Sequence, residues 1–257
     1  SGNLSGTYAA ATYRISGDLT IADGDTAHLQ AGTTFLFDSG VNFNIYGTLK
    51  AIGTETDSIV FDNYGDDRWS GFTLENASDE TTFEYVRLSG AEKDQGGGMT
   101  IFSSNPTLTH VTIANNTADD SGGGMYLGNS NPTLTNSILW DNNPESIYTY
   151  NSESSIKYSD IEGGWEGVGN IDADPLFSDP DDGDFSTFRW NDQNGYTRGP
   201  DQGIGYYATL QKEPWRDECN DLIGTDRECS YTVSDPPQVL SEETGNYGKC
   251  VRSVPEH

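Results

Sequence analysis

Residues 96–143 state one motif twice. Gly96, Met99, Asn105, Pro106, Thr107, Leu108 and Thr109 return as Gly122, Met125, Asn131, Pro132, Thr133, Leu134 and Thr135, each 26 residues further on. Upstream, Gly71-Phe72-Thr73-Leu74 takes the place of Gly98-Met99-Thr100-Ile101 at an offset of 27, and residues 82–88 take that of 107–113 at an offset of 25. Downstream, Ile147 follows Met125 by 22, and residues 155–161 follow 133–139 by 22. A spacing that drifts between copies excludes a coiled coil, which needs a strict short period. Thr, Ser, Asn, Gly and β-branched residues around a central Pro favour short strands and turns over helices. A strand-built repeat of this length is a β-solenoid or a leucine-rich repeat. The leucine-rich signature is missing, so a parallel β-helix is predicted.

Each copy is then one coil, and each strand pairs with its equivalent in the next coil roughly 4.8 Å away. Matching side chains stack in ladders. The predicted inward ladders are Phe83–Leu108–Leu134–Ile156, Val86–Val111–Ser137–Ser159 and Leu88–Ile113–Leu139–Ile161. Thr109 falls on the other parity and faces solvent. The Gly triplets starting at Gly96 and Gly122 mark a corner before the first strand, where positive φ is tolerated. Asn115-Asn116 and Asn142-Asn143 mark another turn, and their amides can bond coil to coil. Pro106 and Pro132 sit at a corner that needs no ladder N–H. Residues 15–63 alternate short strands with Gly or Asp corners: 19–21, 28–29, 34–37, 43–45, 47–49 and 59–61. The expected organisation is an N-terminal cap at 1–14, an all-β parallel β-helix of about six to seven coils at 15–165, an irregular closing cap at 166–207, and a Cys-containing extension at 208–257.

Charge narrows the partners. The 257 residues carry 41 acidic and 13 basic side chains, a formal net charge of -28. Such a surface repels phosphate backbones and anionic lipids, so nucleic acid is not an expected partner. No run of 18 apolar residues exists, so no bilayer-spanning helix and no membrane insertion are expected. With 14 Tyr, 10 Phe and 5 Trp, the chain is too aromatic to be disordered throughout. The polar start at Ser1 is what a mature, processed secreted chain presents, and the expected location is extracellular or at the cell surface. Cys219, Cys229 and Cys250 are disulfide candidates: one bridge plus a free or intermolecular thiol. They lack the paired spacing and His partners of a zinc site.

The outward positions bound the chemistry available. Hydrolysis of a polysaccharide needs two carboxylates about 5–10 Å apart, and elimination needs a base, commonly Arg or Lys. The outward positions read as Thr73, Thr100, Tyr126 and Tyr148 on the first strands. On the second they are Glu84, Thr109, Thr135 and Lys157, followed by Arg87, Thr112, Ile138 and Asp160. Glu84 and Arg87 share a coil, but the next two coils answer with Thr, so a solvated face is expected and no catalytic residue is assigned. His110 aligns with Tyr85, Asn136 and Tyr158 and is expected at a corner. Tyr126, Trp140, Tyr148, Tyr150 and Tyr158 are the candidates for stacking on sugar rings; the competing reading is that they cover the end of the helix. Asp179, Asp181, Asp182 and Asp184, with Asp172 and Asp174 close in sequence, are candidate Ca2+ ligands, against an ordinary Asp/Gly turn. No other cofactor is expected.

The stretch GTTFLFDSGVNFNIYGTLKAIGTETDSIVFDN, followed by WSGFTL and FEYVRLSGA, resembles the opening coils of secreted bacterial right-handed parallel β-helix proteins. The GGGM…SNPTLT…NNTA units resemble the repeats of that group, including polymorphic outer-membrane-type surface proteins. DADPLFSDPDDGDFS and RGPDQGIGYY resemble its closing segment. The resemblance covers about residues 15–207 and is specific for fold. It implies a right-handed parallel β-helix with an irregular cap, and two classes of function. One is a non-enzymatic structural, adhesive or self-assembling surface protein, associating end to end or through the extension at 208–257. The alternative is a polysaccharide-binding or polysaccharide-degrading β-helix.

Overall fold

The computed structural model describes residues 2–175 and 177 in full, with the backbone alone at 178–179, 184–187, 229–230 and 251–252. Backbone contacts divide the chain into two units, Ser1–Ile204 and Gly205–His257.

The first unit is a parallel β-solenoid of about six turns. Its first face stacks Gly2–Asn3, Leu19–Ile21, Phe43–Ile45, Phe72–Glu75, Met99–Phe102, Met125–Gly128 and Ile147–Tyr150. The second face stacks Gly6–Tyr8, Thr26–Leu29 and Thr48–Ile52, then the first halves of Thr82–Ser89 and Thr107–Ala114, then Thr133–Thr135 and Ser155–Lys157. The third stacks Thr12–Ile15, Thr34–Phe37 and Ile59–Asn63, the second halves of the two long strands, then Ile138–Trp140 and Asp160–Ile161. The expected register is observed: Phe83, Leu108, Leu134 and Ile156 are successive partners, as are Leu88, Ile113, Leu139 and Ile161. All eight are buried. Val86 pairs with Val111, whose N–H donates to the Ser137 hydroxyl, and the Ser137 N–H donates to that of Ser159.

Corners are held by single residues in left-handed backbone geometry, stacked from coil to coil. Asn76, Ser103, Asn129 and Asn151 turn the first face into the second; Tyr85, His110, Asn136 and Tyr158 turn the second into the third. His110 is therefore a corner residue with φ of 54°. Asn115 and Asp141 make a third such corner. Beside it, Asn116 and Asn142 stack inside the tube: the Asn116 amide donates to Asn142 Oδ1 at 3.0 Å, and Asn116 Oδ1 accepts from the Ala91 N–H at 3.0 Å.

The glycine triplets differ from expectation in an instructive way. Gly96 and Gly122 do have positive φ, but Gly97 and Gly123 do not. A β-carbon at either would fall inside the contact radius of backbone carbonyls in the following turn. Gly98 and Gly124 are crowded in the same way, so the second and third positions of each triplet carry a crowding constraint, not a conformational one. A further correction concerns Thr112, Ile138 and Asp160. Their parity points them out of the tube, yet each is no more than 3% exposed. For Asp160 part of the reason is plain: its carboxylate accepts from the Ala173 N–H at 3.1 Å. A short parallel pair, Glu92–Gln95 with Thr117–Ser121, lies between the third face and the first and has no counterpart in the sequence pattern.

Candidate functional site

The outer side of the first face carries two ladders. One runs Thr20, Asn44, Thr73, Thr100, Tyr126, Tyr148 in strict register. The other runs Glu75, Phe102, Gly128, Tyr150, with Tyr46 following Ile45 at the equivalent place one coil earlier. The aromatics of both ladders gather in the later coils. Tyr126 and Tyr148 stack at 5.3 Å with an interplanar angle of 24°, and Phe102 lies against Tyr126 at 5.5 Å. Gly128 makes this possible, because any β-carbon there would enter the Phe102 ring. Tyr126, expected to be outward and open, is consequently only 8% exposed. Burial, then the neighbouring Tyr148 and Tyr150 phenols, push its hydroxyl above the usual phenol range. The open surface belongs to Tyr148 at 40% and Tyr150 at 60%.

One amine and one carboxylate share this face. Lys93, from the extra strand Glu92–Gln95, hydrogen-bonds the Thr73 hydroxyl. Burial lowers its ammonium below the ordinary lysine value, opposed by the neighbouring Asp94. Glu75 is exposed two residues beyond Thr73. Neither residue falls at the repeat positions aligned above. Lys93 sits in the insert between coils, where period and parity carry no signal. Glu75 could have been found by extending the first-strand alignment by one rung.

Seven strands in parallel register on one face, with three faces per turn, decide the architecture, and residues 38–170 match the family of right-handed β-helix regions. The chain belongs to that family. The match covers just over half of the chain. Among curated proteins, none matches it.

In this β-helix the five aromatic candidates separate. Tyr126, Tyr148 and Tyr150 come together on the first face. Trp140 is on the third face, paired with Ala114 and half-buried. Tyr158 is at the corner between the second and third faces, with its ring beside Gly169. Glu84 and Arg87 lie on opposite sides of the Tyr85 corner, and Glu84 acts on His110 instead. The His110 ring stacks on Tyr85 at 4.5 Å, and its Nε2 is 3.4 Å from the Asn136 amide nitrogen. Desolvation lowers the His110 pKa, against the pull of Glu84 and Glu55. This is the setting of a packed corner and not of a poised base. Among the described residues, no three His, Cys, Asp or Glu side chains form a metal-holding group, and no helix is long and apolar enough to cross a membrane. The side chains of the Ca2+ candidates Asp179, Asp181, Asp182 and Asp184 lie outside the described residues. So do those of Cys219, Cys229 and Cys250. The backbone pairs Asp179 with Asp184 across an antiparallel hairpin, and Cys229 with Arg252.

Proposed function

We propose that this β-helix is a non-catalytic, adhesive protein of the extracellular or cell-surface milieu that holds an extended glycan along the outer side of its first face. The observation that carries the reading is the aromatic group Phe102–Tyr126–Tyr148–Tyr150, built in register across three coils. Flat apolar rings edged by hydroxyls suit sugar rings, which present C–H faces and equatorial hydroxyls. The coil step of about 4.8 Å is close to the length of one sugar unit in an extended polymer. Glu75 alone offers a carboxylate among the described first-face rungs, whereas glycoside hydrolysis works with a pair. The acidic surface as a whole disfavours polyanions, so a neutral glycan is expected. A glycan array probed with the wild-type chain and with Tyr148→Ala/Tyr150→Ala tests this. Binding to a neutral linear glycan, weakened at least tenfold in the double variant at unchanged melting temperature, is the expected result. Absence of binding to any glycan, with and without Ca2+, would overturn it.

A second reading, end-to-end self-association, is favoured by one feature. At the C-terminal end of the solenoid the second face is continued by the Tyr158 N–H bond to Val168 O, and the third by the Asp160–Ile171 bridge. The last first-face strand, Ile147–Tyr150, has no further strand partner among the described residues. Unpaired edges of this kind recruit other strands. Sedimentation equilibrium over rising concentration should show association that Thr149→Lys suppresses. A monomer throughout would retire this reading.

A further inference from the structure

A shallow cleft of about 580 Å³, largely open to solvent, lies on the outer side of the second face in the first three coils, remote in sequence from the aromatic group. Thr7, His28 and Lys50 line it and stand in register with one another. Gln30, Ala31 and Ile52 complete the part used here. In a chain with 41 acidic and 13 basic residues, this lining contains no Asp or Glu. Lys50 hydrogen-bonds the Glu80 carbonyl and lies 3.5 Å from the Thr82 hydroxyl, so both of its oxygen partners are neutral. Asp57, in the loop whose carbonyl accepts from the Gly32 N–H, has its carboxylate engaged by the Thr56 hydroxyl at 2.7 Å. His28 and Lys50 are thus neighbours on one outward ladder, with the Lys50 ammonium leaning to the far side, toward Thr82. A carboxylate set between them can accept one hydrogen bond from the imidazole N–H and a charge-assisted one from the ammonium, which gives up only neutral oxygens to make it. The rim adds apolar surface, since Ile52 is 43% exposed.

We propose that this cleft binds a small organic carboxylate, its charge between His28 and Lys50 and its carbon skeleton against Ala31 and Ile52. The site is independent of the glycan face. Sugar acids and short aliphatic acids share this chemistry, and the test separates them. The His28 ring signals are followed by NMR while butyrate, glucuronate or chloride is added at matched ionic strength, with His110 as the internal control. A saturable movement of His28 alone, half-complete near ~1 mM, is expected with butyrate or glucuronate and not with chloride. Movement with butyrate only identifies an aliphatic acid; with glucuronate only, a sugar acid; with both, the carboxylate as the shared determinant. Lys50→Gln should weaken binding at least tenfold. Ile52→Ser, at an exposed position, should weaken butyrate several-fold while leaving the fold intact. No saturable movement with either acid, an equal movement with chloride, or binding indifferent to both variants would overturn the proposal.

Discussion

From the second coil to the fourth the tube is filled with rings. Phe35, Phe43, Phe61 and Phe72 meet mostly edge to face at 4.9–6.4 Å, and Phe37 lies flat on Trp69 at 4.1 Å and 7°. In the last three coils the same space holds Met99, Ile101, Leu108, Met125, Leu127 and Leu134, together with polar ladders. Ser104, Ser130 and Ser152 pass hydrogen bonds from coil to coil, as do Ser137 with Ser159 and Asn116 with Asn142. A large ring satisfies itself against whatever apolar neighbour it meets, so successive aromatic coils need not resemble one another. A serine or asparagine inside the tube must find its partner at the same place in the next coil, or a buried polar group is left unpaired. The polar ladders are therefore what force the later coils to repeat in sequence, and the rings are what release the earlier ones from repeating.

The largest effect should come from the ring-filled half. Trp69 is fully buried, and its indole N–H donates to the Ser89 carbonyl at 2.8 Å. Trp69→Ala should cost about 3–5 kcal/mol in a denaturant titration, against roughly 2–4 for Leu134→Ala in the laddered half. An order reversed beyond error would break the contrast, because it would mean the aliphatic ladder carries the denser packing.

Next come the amides. Asn116→Ala removes the acceptor of the buried Ala91 N–H together with the bond to Asn142, and should cost about 1–3 kcal/mol. If stacking in a ladder is the reason for repetition, Asn116→Ala and Asn142→Ala will not add. The double variant should be less destabilised than the sum by at least about 0.5 kcal/mol. Simple additivity would show two independent corner amides and no ladder.

This contrast also explains what could be read beforehand. The laddered half announced itself, since repetition fixes register and register fixes which residues stack: Leu108 on Leu134, and Val111 over Ser137. Period-two alternation placed the strands of the ring-filled half as well, at 34–37 and 43–45. What parity does not convey is whether anything lies over an outward side chain. Parity alone puts Thr112, Ile138 and Asp160 in solvent, yet they are covered. Tyr126 has the parity of an open position, but Phe102 reaches across Gly128 to shield it. Parity is also silent on inserts between coils, where Lys93 sits. The aromatic site was thus visible as a set of residue types, and its division among three locations was not.

The smallest effect probes the end of the laddered half. Asp160 continues the rung of Thr112 and Ile138, replacing an uncharged side chain by a carboxyl. Burial raises its pKa to about 7, the Ala173 N–H partly offsets this, and Asp172 and Asp174 add to it. A carboxyl whose folded value lies above its unfolded one binds a proton more tightly in the native state. Its contribution is favourable at low pH and is lost as pH rises from about 4 through about 7. Asp160→Asn should therefore match wild type in melting temperature near pH 4 and exceed it near pH 8. A variant that is less stable at pH 8 would mean that ionised Asp160 is a favoured partner in the closing segment. The rung would then tolerate charge at its end as readily as the aromatic half tolerates irregularity throughout.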